Sequence, residues 1–307
     1  MLRKILFGLV CLHLAWNLTA QNDIQYSQFI FNKLAINPAY AGNRDALTVG
    51  AIYRNQWTGV EGAPKTVSAY MHAPFMGERN GLGFSLTNDQ IGLYNNSFAE
   101  LSYAYRIPLE KGHRVAIGIK TRFEHNRFNN SQIEVIDTND GSIPDPADAL
   151  TSLNFGAGGF YQAPNWYVGV SVPLLLKTTL YNDQFFGQSE IRDFRSYYLM
   201  GGLIVELNDQ LLFKPAALIS YNPNAPFELD LNASFYLVDA IWIGATYRLG
   251  DSVDGVVQYQ FSPQLKVGLG FDFTTSELSQ FSSGTFEILT EYTFQYDKEN
   301  VNNIRFF

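Results

Sequence analysis

Cysteine is all but missing from this chain of 307 residues: the single one, Cys11, lies in an apolar stretch near the start. With that stretch removed, neither a disulfide nor a thiolate metal site could hold the rest together. Charge is scarce as well, at 16% of residues against about 25% in an ordinary soluble domain. Lysine and arginine number 21 against 29 acidic residues. The chain therefore lacks the clustered basic surface that a phosphate backbone needs, which excludes nucleic acid as a partner. After residue 20 no apolar run approaches the ~18 residues of a membrane helix. No Pro/Ser/Gly linker or low-complexity tract divides the chain, so one large domain is expected.

The start, "MLRKILFGLVCLHLAWNLTAQ", carries Arg3 and Lys4, an apolar run from Ile5 to Trp16, and the small Ala20 before Gln21. This reads as a secretory signal over residues 1–20. Its removal takes away two positive charges and no negative one, moving the net charge from −8 to about −10. Cys11 leaves with it; Val10 stands where a lipoprotein signal wants a small residue.

Aromatic residues, by contrast, are plentiful, at 15%. An exported chain rich in aromatics, poor in charge and without a spanning helix points to contact with lipid through a closed sheet, because lipid tolerates only helices and edge-free barrels. The expected signature is alternation of apolar and polar residues over about ten positions. In "FELDLNASFYL", Phe227, Leu229, Leu231, Ala233, Phe235 and Leu237 point one way, and Glu228, Asp230, Asn232, Ser234 and Tyr236 the other. Elsewhere Leu265, Val267, Leu269, Phe271 and Phe273 alternate with Lys266, Gly268, Gly270 and Asp272. Such runs predict about fourteen strands, near 46–56, 66–75, 81–88, 97–107, 114–124, 151–162, 165–173, 195–207, 210–221, 227–237, 240–249, 253–262, 265–274 and 284–296. The fold class is thus all-β, a transmembrane antiparallel barrel over 46–296, with residues 125–150 and 174–194 as long extracellular loops. An even count suits a single-chain barrel with both ends in the periplasm. A soluble sandwich of the same period would expose fewer Tyr and Phe.

Residues 21–45 hold Tyr26, Phe29, Phe31, Leu34, Ile36 and Tyr40, too many apolar groups for a free tail. They are expected to plug the lumen, with Asn37, Pro38, Ala39, Tyr40 and Gly42 as contacts and Arg54, Gln56 and Trp57 reaching them from the inner face of the first strand. Asn37, Gly42 and Asn43 offer the positive-φ turns a compact plug needs, and Pro38 fixes its own φ. The alternative is that "NPAYAG" shapes a periplasmic turn. At the other end, a tail over 297–307 closes on Phe306 and Phe307. Outer-membrane barrels commonly finish on Phe, read by the assembly machinery, so both rings are candidate assembly signals.

The blocks "DIQYSQFIFNKLAINPAYAGN", "YRNQWTGVEGAPKTVSAYMHAPF", "GLGFSLTNDQIG" and "FKPAALISYNPNAPFELDLNASFYLVDAIWIGATYRLG" resemble the PorP/SprF family, outer-membrane proteins of the type IX secretion and gliding machinery of Bacteroidetes. The resemblance spans essentially the whole chain after residue 20. "IRFF" is similar to the family's "PRFF"-type endings, while Phe286 stands where many members have histidine. The resemblance implies a non-enzymatic accessory that binds, helps secrete or anchors a specific secreted surface protein, often an adhesin with a type IX C-terminal sorting domain. It also implies association with a periplasmic peptidoglycan-binding lipoprotein.

The residues agree with that restraint. Of the four histidines, His13 lies in the signal, and His72, His113 and His125 are scattered without ligand spacing. No serine sits in a nucleophile motif. No catalytic, metal or cofactor site is therefore expected. In the acidic "DTNDGSIPDPAD" the glycine falls at the fifth place rather than the sixth, and Pro144 and Pro146 interrupt it, which suits a solvated loop better than a calcium loop. The second functional reading is an outer-membrane channel or transporter for a small solute; charges expected inside, such as Lys120, Arg122, Asp230 and Arg248, disfavour a greasy one.

Overall fold

In a computed structural model the chain forms a closed antiparallel β-barrel; the structure describes residues 24–128, 150–176, 178–183, 188–192, 195–223 and 225–294. The expected signal, the 137–148 acidic loop and the terminal Phe306 and Phe307 lie outside those residues.

The first seven strands are β1 (Leu47–Asn55), β2 (Lys65–Pro74), β3 (Asn80–Ile91), β4 (Tyr94–Pro108), β5 (Arg114–Phe128), β6 (Leu150–Gln162) and β7 (Trp166–Val172). A two-stranded hairpin of β8 (Thr178–Asp183) and β9 (Gln188–Arg192) comes next, then β10 (Tyr197–Leu203) and its short continuation β11 (Val205–Asn208). The wall is completed by β12 (Leu211–Tyr221), β13 (Glu228–Leu237), β14 (Ile241–Arg248), β15 (Ser252–Gln260), β16 (Leu265–Thr274) and β17 (Thr285–Phe294). With β10 and β11 counted as one interrupted strand, fourteen strands go round the wall. The β10–β12 pairing joins the two halves, and β1 pairs with β17 from Leu47↔Phe294 to Asn55↔Phe286, so no edge remains.

Alternation decides which side of each strand meets lipid. On β13, Leu231 is 49% exposed, whereas Asp230, Asn232, Ser234 and Tyr236 are all buried inside. Lys120, Arg122, Arg248, Asp254, Lys266 and Asp272 are buried within the lumen, as their position in the pattern requires.

The connections distinguish the two ends. At the end where β1 starts and β17 finishes, the turns 75–79, 109–113, 163–165, 209–210, 238–240 and 261–264 are short. The strands flanking the two longest connections, β5 and β6, and β7 and β10, meet those connections at the other end. Short turns mark the periplasmic side of such barrels.

The wall departs from the sequence reading in three places. β3 and β4 run on to Ile91 and back from Tyr94, through a turn with Gly92 at φ 56. Polar pairing sustains this extension: the Asn88 amide donates to Asn95 Oδ1 (2.7 Å) and Ser97 Oγ (2.9 Å), contacts that apolar periodicity does not report. The long loop expected over 174–194 contains the β8–β9 hairpin, which stands outside the barrel sheet. Finally, the first strand ends at Asn55, one residue sooner than expected.

An arginine at Leu231, facing the bilayer near mid-strand, is expected to destabilise the barrel by about 2–4 kcal/mol, whereas one at Phe227, at the outer rim, costs about 0–1 kcal/mol. Urea titration of the heat-modifiable folded band checks this, and equal midpoints would reverse the assigned orientation.

Candidate functional site

Residues 24–46 occupy the lumen. The segment starts in the extracellular half, passes through a single helical turn, α1 (Lys33–Ile36), and a 3-10 turn over Pro38–Tyr40, and reaches β1 at the periplasmic end. Apolar side chains of the plug pack against the wall: Tyr26, Phe29, Phe31, Leu34 and Tyr40 are buried in one cluster with Trp242, Tyr167 and Phe160, Phe31 meeting Trp242 edge-on and Tyr40 meeting Phe160.

"NPAY" makes its own turn. Asn37 Oδ1 accepts the Ala39 backbone N–H at 2.9 Å, and Pro38 stands at the first position of the turn, where its missing N–H costs nothing. The other side of the same amide reaches the wall, Nδ2 donating to the carbonyls of Gly159 (3.0 Å) and Val170 (3.2 Å). Ser171 Oγ donates to the Ile36 carbonyl at 2.9 Å. Of the three positions expected at positive φ, Gly42 alone adopts it, at +70, turning the chain where a Cβ would strike the Ala73 carbonyl; Asn37 is extended at φ −131, because its side chain rather than its backbone makes the turn.

The wall is moulded to this segment. A Cβ on Gly118 would overlap the Ala39 backbone, one on Gly158 the Asn37 side chain, and one on Gly81 the Ala41 carbonyl. Inward glycines let backbone approach backbone.

Buried charge ties the plug to the wall in layers. Near the outer mouth Glu287 accepts the backbone N–H groups of Ser27 (3.1 Å) and Gln28 (3.2 Å). Arg54, paired with Glu287 at 3.2 Å and Asp272 at 2.9 Å, also donates to Ser27 Oγ. Gln258 donates to Gln28 at 2.9 Å, and Gln25 to Glu228. Farther in, Lys120 pairs with Glu100 at 2.6 Å and reaches the Ala35 carbonyl at 3.4 Å. Toward the periplasm, Glu291 takes Arg44 of the plug together with Lys266 (2.7 Å) and the Tyr70 hydroxyl (2.8 Å). At the last level Asp45 bridges Arg106 (2.9 Å) and Arg114 (2.6 Å), while the Gly42 N–H donates to His72 Nδ1 at 3.2 Å. Between plug and wall, beside Asn32, Tyr70 and Arg122, remains a cavity of about 30 Å³, room for one or two waters.

Asn37, Pro38, Ala39, Tyr40, Gly42 and Arg54 are thus gathered at one interface. Gln56 and Trp57 are not part of it. Both come after the end of β1, in the loop 56–64, where Gln56 N–H donates to the Pro64 carbonyl and Trp57, at φ 46, donates its N–H to Thr285 Oγ1. The expectation of inward contacts carried the pleat past Asn55, but the strand ends there and the left-handed backbone of Trp57 turns the chain into the loop. Glu287, Glu291, Tyr70 and His72 join the interface from the inward side of their strands; the sequence pattern puts Glu287 and Glu291 on the polar face but does not name any of the four as a plug contact.

A family model described as type IX secretion system membrane protein PorP/SprF matches residues 18–292. The chain belongs to the PorP/SprF family. No curated protein matches it at the sequence level. Among solved structures, the TodX deltaS2S3 mutant monoaromatic hydrocarbon channel superposes with TM-score 0.50 at 11% identity, covering 85% of this chain and 93% of that one. Omp33 of Acinetobacter baumannii gives 0.49 at 10% identity (81% and 98% covered), and a Pseudomonas aeruginosa FadL homologue 0.48 at 13% (92% and 97%). At such identities the first likeness speaks for the fold alone. This PorP/SprF protein is accordingly an outer-membrane β-barrel of the type IX secretion system.

The glycine mould yields a test. Gly118→Ala places a methyl against the plug backbone, an overpacking that typically costs about 1–3 kcal/mol. Gly159→Ala on the neighbouring strand meets only ordinary contacts, Val170 at 3.7 Å and the Ala116 carbonyl at 3.9 Å. With Tyr40→Cys as the reporter, Gly118→Ala is expected to speed maleimide labelling about tenfold, which corresponds to ~1.4 kcal/mol, and Gly159→Ala to leave it unchanged. Identical rates in the two backgrounds would mean that the plug is not held by this surface.

Proposed function

We propose that this PorP/SprF protein is a non-enzymatic accessory of type IX secretion that binds a particular secreted surface protein and helps it cross the outer membrane or remain attached there. The barrel serves as a closed platform rather than a conduit. The observation that carries this reading is the lumen: a segment of the chain itself runs through it from end to end, most of its residues buried, anchored to the wall through Glu287, Glu291 and the pairing of its own Asp45 with Arg106. A polypeptide in transit could pass only by expelling that segment, at the cost of stripping several buried charges of their partners.

Recognition therefore belongs to the surfaces outside the lumen. The extracellular connections would meet the secreted protein, the class of partner being one with a type IX C-terminal sorting domain. The short periplasmic turns would meet a periplasmic peptidoglycan-binding lipoprotein. The channel reading draws on the barrel described as a monoaromatic hydrocarbon channel, and the filled lumen weighs against it.

In planar bilayers the full-length protein is expected to give no stable solute-selective conductance, and in detergent to bind a purified type IX sorting domain encoded by the same organism. A persistent selective pore together with no binding to any of that organism's sorting domains would favour the channel.

A further inference from the structure

The loop that carries Trp57 makes no plug contact, yet it is built with care. Its Thr58 N–H donates to the Gly284 carbonyl (2.7 Å) and its Thr58 carbonyl accepts from Ser283 (2.8 Å), while the Gly62 carbonyl accepts from Gly92 (2.8 Å). It is thus tied on one side to the β16–β17 connection and on the other to the β3–β4 turn. Left-handed backbone at Trp57, Gly59 and Gly62 gives it its arch. Under the arch lies a cavity of about 580 Å³, lined by Asn55, Lys65 and Gln90 from the wall and by Trp57, Val60 and Glu61 from the loop.

The wall residues identify the side of the barrel. Asn55 is the cross-strand partner of Lys65, and Lys65 of Gln90, so the three form one polar rung across β1, β2 and β3. All three lie in the outward register. Directly below on that same face come Tyr53 and Val67, then the paired Ala51 and Ala69 with Leu86 beside them. Val67 and Leu86 are each about half exposed, at 53% and 51%, on the surface that meets hydrocarbon. The cavity therefore sits at the outer-leaflet headgroup level, with a polar, cationic floor that continues straight down into an apolar wall. The small Ala51 and Ala69 leave that wall low beneath it.

We propose that this cavity binds the headgroup of an outer-leaflet lipid, one bearing a negative charge and free hydroxyls, with its hydrocarbon lying along the wall below. Lys65 meets the negative group, Asn55 and Gln90 exchange hydrogen bonds with hydroxyls, Glu61 accepts from a hydroxyl, and the Trp57 ring offers an apolar face to a sugar. A long lysine with its stem on apolar surface and its charge at the interface is the usual cation for this level. A soluble anion would use only the floor; an amphiphile uses both surfaces. Tethering of the loop to its two neighbours pre-forms the site, so little ordering cost falls on binding.

The test uses the full-length protein in phosphatidylcholine nanodiscs, with lipid A, phosphatidic acid or inorganic phosphate added. Native mass spectrometry is expected to find one lipid A retained per chain, phosphatidic acid held more weakly for want of hydroxyls, and no competition from inorganic phosphate. Lys65→Gln should lower lipid A retention about tenfold, the equivalent of ~1.4 kcal/mol. Lys111→Gln, in the periplasmic turn, should leave it unchanged. Equal retention in the two variants, with heat-modifiability showing both folded, would overturn the site. Displacement of lipid A by inorganic phosphate would reduce it to a simple anion site. In the wild-type protein, a photoactivatable lipid A should crosslink within residues 55–65, and crosslinking elsewhere alone would also overturn it.

Discussion

Hydrocarbon offers the backbone nothing to bond to, and this one constraint shapes the whole wall. Every N–H and C=O at membrane depth must find its partner in a neighbouring strand, so the sheet must close. Closure depends on the β1–β17 ladder, whose full-length register brings Arg54 opposite Glu287 and Leu47 opposite Phe294. Because side chains alternate, the same register turns Tyr53 and Ile288 toward lipid and Arg54, Glu287 and Glu291 toward the lumen. A one-residue slip would put those charges in hydrocarbon.

Charges turned inward create the next problem, since an enclosed lumen is a poor solvent for them. The plug answers it. Ser27 and Gln28 present backbone N–H groups to Glu287, Arg44 meets Glu291, and Asp45 sits between Arg106 and Arg114. The wall in turn supplies what the plug lacks: Asn37 reaches strand carbonyls and Lys120 the Ala35 carbonyl. Plug and wall are thus one hydrogen-bonded system. Inward glycines bring the backbones close enough for it.

Much of the wall was legible beforehand. Alternation in stretches such as "FELDLNASFYL" revealed strands, their number and which side faced lipid, because a two-residue period is a local property of a strand in a two-sided environment. What alternation could not see were segments polar on both faces. The β3–β4 extension is held by Asn88, Asn95 and Ser97, and the β8–β9 hairpin stands outside the barrel sheet. Gln56 and Trp57 were assigned inward on the expectation that the first strand runs past Asn55, and the inward face ends where the pleat ends.

For the plug the division is sharper. The sequence by itself determined that residues 21–45 were too apolar to hang free and that "NPAYAG" would turn, since Asn before Pro and a Gly soon after fix local backbone whatever surrounds them. It also determined which charges lie inside, because inside and outside depend on position in a strand. Only the tertiary structure decided which of those charges meet: Glu291 with Arg44 and Glu287 with Ser27 and Gln28 are separated by more than two hundred residues. Pairing across such distances is set by the closure and register of the barrel, a property of fourteen strands together that no local stretch contains.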